Sequence, residues 1–80
     1  MSIPENPIRR RRESLGLDRS EFAERAGIPL ENLQLLEEGG HLVLSLPVAI
    51  KIHRLLNQAS PERLIEEYDM WRRAAEDAAD

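Results

Sequence analysis

The sequence predicts an all-α domain of five short helices, on three observations. Apolar residues recur at spacings of three and four along most of the chain, the period of one helix face. Helix starts are marked at Asn6-Pro7, Asp18, Pro29, Ser45 and Ser60-Pro61, and stops at Gly16, Gly27 and Gly39-Gly40. No alternating apolar–polar run is strong enough to make a strand. Eighty residues form one domain, and the lack of cysteine excludes disulfides and zinc ribbons. No apolar run approaches the ~20 residues of a membrane span. The start, MSIPENP, lacks the basic-then-apolar pattern of a signal peptide. A soluble, cytoplasmic protein is expected.

The first helix starts where Asn6 caps and Pro7 fits the first turn. Ile8 and Leu15 share a face with Arg12 between them, and Gly16 closes the helix. Arg9, Arg10, Arg11 and Arg12 form the one basic run, read either as a solvated face or as a set of phosphate contacts. Asp18 is placed to cap the second helix, with Glu21 three residues on as its capping-box partner. Leu17, Phe22, Ala23 and Ala26 line its inner face, and Gly27 ends it. Pro29 opens the third helix, in which Leu30, Leu33 and Leu36 repeat every three residues before Gly39-Gly40. Residues 16–40 thus outline a helix-turn-helix.

Ser45 and Pro47 start a fourth helix whose broad apolar face holds Leu46, Ala49, Ile50, Ile52, Leu55 and Leu56. Leu42, Val43 and Leu44 precede it as core, extended segment or exposed contact patch. Ser60-Pro61 opens the fifth helix, with Leu64, Tyr68, Trp71, Ala75 and Ala78 in a heptad-like seam. Asp69–Arg73 and Arg72–Glu76 are spaced as four-apart pairs. The domain is therefore read as a body, 1–59, and an acidic amphipathic helix, 60–80. That helix either packs on the body or presents Leu64, Tyr68, Trp71 and Ala75 as a dimer or partner surface. The net charge of −4 resides in it: the body carries eight basic and eight acidic groups, the tail three and seven. Local patches rather than the net value decide how a polyanion is steered.

Residues 8–57 resemble the XRE family, the Cro- and phage-repressor-type helix-turn-helix domains. The resemblance is carried by Ile8, Arg12, Gly16-Leu17, Glu21-Phe22-Ala23, Gly27-Ile28, Leu33, Leu36-Glu37, Gly39, Ser45-Leu46, Lys51-Ile52 and Leu56. It implies a compact lambda-repressor-like fold with a salt bridge from Arg12 to Glu37. It also implies that the third helix enters the major groove of double-stranded DNA, with a homodimer on a palindromic operator. The implied base-reading positions include Leu30, Glu31, Asn32 and Gln34; Arg19, Arg9, Arg10 and Arg11 are the implied phosphate contacts. This chain departs from the pattern in three ways. No Lys or Arg falls between Ile28 and Gly40, Glu31 and Glu38 face a polyanion unless paired, and Arg11 stands where the family has an apolar residue.

Two other function classes stand beside this one. Because fold does not fix function, the acidic third helix and tail also suit a protein-interaction module: an antiactivator, an antirepressor or an antitoxin. Enzymatic chemistry is not expected. His41 and His53 are the only histidines, His41 with Glu37 and Glu38 is no recognised metal spacing, and no glycine-rich phosphate loop occurs. No cofactor or metal is expected.

Overall fold

The computed structural model describes residues 5–38 and 42–79, and side chains through Asp77. Gly39, Gly40 and His41, the side chain of Ala78, and Asp80 lie outside the described residues, so the expectations placed on them have no structural counterpart here. The described chain forms α1 (Pro7–Ser14), α2 (Arg19–Ala26), α3 (Leu30–Glu38), α4 (Leu46–Ile52) and α5 (Pro61–Ala79). Its radius of gyration is 11.9 Å, against about 12 Å for a compact domain of this length. The long α5 is therefore packed on the body, in contact with α4 and α1.

Local chemistry sets the boundaries. The Asn6 carboxamide oxygen accepts from the Ile8 and Arg9 amides at 2.9 and 3.0 Å. Asp18 accepts from the Glu21 amide at 2.7 Å. Gly27 takes φ 70°, and the Ile28 amide then donates to the Ala23 carbonyl at 3.1 Å. This left-handed closure turns the chain sharply from α2 into α3 and buries Ile28. Ser60 Oγ accepts from the Arg63 amide at 3.2 Å and starts α5.

One core unites the helices: Ile8 of α1; Phe22, Ala23 and Ala26 of α2; Ile28; Leu33 and Leu36 of α3; Leu44; Ala49 and Ile52 of α4; Leu56; and Leu64 and Tyr68 of α5. Tyr68 donates its hydroxyl to the Leu42 carbonyl at 2.7 Å, and burial raises its phenol pKa. Its ring lies 5.6 Å from that of Trp71.

The structure corrects three expectations. Leu64 and Tyr68 are fully buried in their own chain, so they are not a dimer or partner surface; among the described side chains of that seam, Trp71 and Ala75 stay partly exposed. The fourth helix is shorter and its apolar face narrower than the pattern implied. Regular helix stops at Ile52, the next five residues form turns closed by Asn57 at φ 57°, and Leu46 and Ile50 point to solvent. Ser45 occupies the cap position of α4 without a side-chain capping bond. The Leu42-Val43-Leu44 segment divides, with Leu44 in the core, Leu42 packed against it and Val43 exposed. In α5, Arg72 pairs with Asp69 three residues back at 3.7 Å.

Candidate nucleic-acid interface

The arginines of α1 are consecutive in sequence but not in space. At 100° per residue a helix sends four neighbours to four directions, and each finds a different environment. Arg9 pairs with Glu13 at 3.3 Å on the open surface. Arg10 is exposed and has no ion-pair partner among the described residues. Both border a cleft of about 540 Å³ shared with Glu5, Glu13 and Trp71. Arg11 turns to α5, where Glu67 accepts from its Nε and Nη2 at 2.9 and 3.0 Å, and its Nη1 donates to the Leu56 carbonyl at 3.3 Å. The expected phosphate contact at Arg11 is therefore corrected: its guanidinium is engaged internally. Arg11 also holds the Glu67 carboxyl below its ordinary range, with Arg10 and Gln58 acting in the same direction.

Arg12 turns inward to α3. Glu37 accepts from its Nε and Nη2 at 2.8 Å each, and the Leu17 carbonyl accepts from its Nη1 at 2.8 Å. The Glu37 side chain is 0% exposed. Burying a carboxylate away from water is costly unless it is paired and hydrogen-bonded, and this fork supplies both. The pair fixes α1, the α1–α2 turn and α3 to one another. Asn6 adds a second tie that sequence reasoning saw only in part. Its oxygen caps α1 while its Nδ2 donates to the Leu36 and Glu37 carbonyls at the end of α3, at 2.8 and 3.3 Å.

Arg19, the first residue of α2, reaches across to the last turn of α3. Its Nε donates to Glu37 Oε1 at 3.1 Å and its Nη1 to Glu38 Oε1 at 2.8 Å. The two final acids of α3 are thus matched by Arg12 and Arg19. This answers the electrostatic difficulty at Glu38 and gives the arginine expected at phosphate a carboxylate partner at the solvent-exposed rim.

The outward face of α3 is now defined. Leu30 is 38% and Leu35 53% exposed; Glu31 is exposed, and Asn32 and Gln34 are half-buried. No hydrogen bond within the described residues engages the Glu31 carboxylate or the Asn32 and Gln34 carboxamides. Two free carboxamides on a helix held by a glycine turn and a buried fork are suited to paired donor–acceptor contacts with base edges. His53 lies elsewhere, half-buried, its Nδ1 3.1 Å from the Gln58 carbonyl where the chain leaves α4. Among the described residues, no group of acidic, histidine or cysteine side chains is arranged to hold a metal ion. None of the described helices is long and apolar enough to cross a membrane.

Five helices on one core, with α2 and α3 joined through Gly27 and α3 turned outward, define a helix-turn-helix domain. The family model described as helix-turn-helix matches residues 8–64. The chain belongs to this family, in its XRE branch, a family of DNA-binding transcriptional regulators that are generally not enzymes. No curated protein and no solved structure matches the chain.

Proposed function

We propose that the protein regulates transcription by laying α3 in the major groove of an operator, as a homodimer on a palindromic site. One observation carries this reading: Glu37 is turned inward, and the outward face of α3 offers half-buried Asn32 and Gln34 with carboxamides that no described residue engages. Each is able to bind adenine bidentately, a contact worth about 1–3 kcal/mol of discrimination, and Leu30 lies where a thymine methyl fits. Glu31 suits the amino group of cytosine. Phosphate contact falls to Arg9, Arg10 and Arg19, supported by the amides at the helix starts. Two-fold symmetry sets the two copies of α3 about 34 Å apart, one turn of the duplex.

The second copy has an apolar place to dock. Val43, Leu46 and Ile50 are 60%, 47% and 55% exposed, and Leu46 and Ile50 share a face of α4. The same residues favour a second reading, in which the domain binds a different protein as an antirepressor, antiactivator or antitoxin. The acidic end of α5 suits a basic partner of that kind.

The test is a titration of labelled protein with duplex DNA from upstream of its own gene, at two salt concentrations, following backbone amide signals. Shifts confined to Arg9, Arg10, Arg19 and Leu30–Leu35, weakening with salt, are the expected result. Shifts absent at low salt, with a folded spectrum, would overturn DNA binding at this site and leave the protein-partner reading. Exchanging Asn32 and Gln34 for alanine is expected to abolish sequence preference while leaving binding to mixed-sequence duplex unchanged.

A further inference from the structure

We propose that Glu38 is an internal competitor for the phosphate contact at Arg19, so that this carboxylate limits the protein's affinity for DNA and its salt dependence. The inference rests on the DNA-binding reading and deepens it. Arg19 is held by two carboxylates of unlike character. Glu37 accepts from Nε at 3.1 Å and is fully buried. Glu38 accepts from Nη1 at 2.8 Å, and its side chain is 62% exposed, against 28% for Arg19.

The two contacts divide the work. The Glu37 contact orients the guanidinium and stays in place, because that carboxylate has no access to water. The Glu38 contact lies at the rim, where ion pairs are weak and screened by solvent. A carboxylate and a phosphate oxygen make the same charge-assisted bond to a guanidinium, so Glu38 occupies Arg19 as a phosphate would. DNA must displace it, and the freed carboxylate is then left beside the polyanion. Arg19 thus adds little net neutralisation while Glu38 is charged. Removing that one charge leaves an arginine still oriented by Glu37 and able to take a phosphate. No Lys or Arg of its own, between Ile28 and Gly40, compensates for this end of α3.

The experiment is a cycle of wild type, E38Q, R19Q and the double variant. Affinity for a short mixed-sequence duplex and for DNA upstream of the gene is measured over a range of salt concentrations. E38Q is expected to bind several-fold more tightly at low salt, with a slope of log affinity against log salt steeper by about 0.9 per subunit. In the R19Q background the same exchange is expected to change neither affinity nor slope. Unfolding in urea should place E38Q close to wild type, which excludes a change of fold as the cause. With inorganic phosphate alone, the Arg19 Nε–H signal is expected to shift further in E38Q than in wild type. If wild type binds DNA and E38Q matches it in affinity and slope, the competition is overturned while DNA binding stands. It is equally overturned if E38Q gains as much without Arg19, since the gain then reflects diffuse charge. If neither protein binds any duplex at low salt, the DNA-binding reading fails and the competition fails with it.

Discussion

Arg12 places every edge of its guanidinium inside the protein, on Glu37 and the Leu17 carbonyl. Replacing Arg12 with alanine leaves the buried Glu37 with only Arg19, and an uncompensated buried charge costs about 3–5 kcal/mol. A domain of this length has about 4–12 kcal/mol in total. R12A and E37A are therefore expected to lower the urea midpoint severely, whereas an apolar pair of matching volume, R12M with E37L, should recover most of the loss. The double variant unfolding as readily as the singles would contradict this account. Asn6 permits a finer test. At an ordinary helix cap, asparagine and aspartate are interchangeable. Here N6D keeps the cap but replaces two donated bonds to the Leu36 and Glu37 carbonyls with a carboxylate facing them. A loss of about 1–3 kcal/mol is expected from thermal unfolding; an unchanged midpoint would show that the tie to α3 is unimportant. The cap half of Asn6 was legible in the sequence because it is local, a side chain meeting the backbone two and three residues on. The donor half joins residues 30 positions apart, and nothing at Asn6 encodes that. The Arg12–Glu37 fork was legible only through family resemblance, for the same reason.

At the scale of helices, the caps at Asn6, Asp18 and Ser60 and the turn at Gly27 were readable in the sequence, whereas the end of α4 at Ile52 was not and the inward faces were readable only in part. The spacing of Leu46 and Ile50 is that of a buried stripe, yet α4 is only seven residues long and rolls these two to solvent while Ala49 and Ile52 fill the core. The basic run of α1 is dispersed around the helix, leaving Arg9 and Arg10 exposed while Arg11 and Arg12 turn to partners on other elements. Arg11 left the interface set because α5 offers it Glu67, a partner 56 residues away. That bond has a pH signature. Arg11, with Arg10 and Gln58, lowers the Glu67 carboxyl from its ordinary value, so the folded state binds this proton less readily than the unfolded chain. The stabilisation is fully present above the ordinary carboxylate pKa and is lost as pH falls through the lower folded value. E67Q is expected to cost about 1–2 kcal/mol at neutral pH, and its urea midpoint should converge with wild type in acid. A constant gap across that range would assign the loss to shape rather than charge. The helix carrying Glu67 also brings Leu64 and Tyr68 to the core, so a chain ending at residue 59 is expected to lose its helical circular dichroism.

Taken as a whole, the molecule is asymmetric in charge, and its two kinds of acid act at different ranges. Of the −4 net charge, all lies in residues 60–80, and none in the balanced body. Along α5 the residues sealed in the core come first, at Leu64 and Tyr68, while Glu76 and Asp77 are exposed near its far end. These tail acids touch no arginine of α1 or α2, so they influence DNA only through the field, which decays over about 8 Å at physiological salt. Glu38 acts instead by direct contact with Arg19 at 2.8 Å. Neutralising the tail by E76Q with D77N is therefore expected to speed association with mixed-sequence duplex at low salt, by about twofold or less, because a repulsive field slows encounter. At physiological salt the gain should vanish, and the dissociation rate should be unchanged throughout. Stopped-flow association measured at both salt concentrations decides it. A tail variant that binds more tightly at physiological salt, or leaves DNA more slowly, would mean that the end of α5 reaches the duplex, and the interface would then have to extend from α3 to the acidic tail.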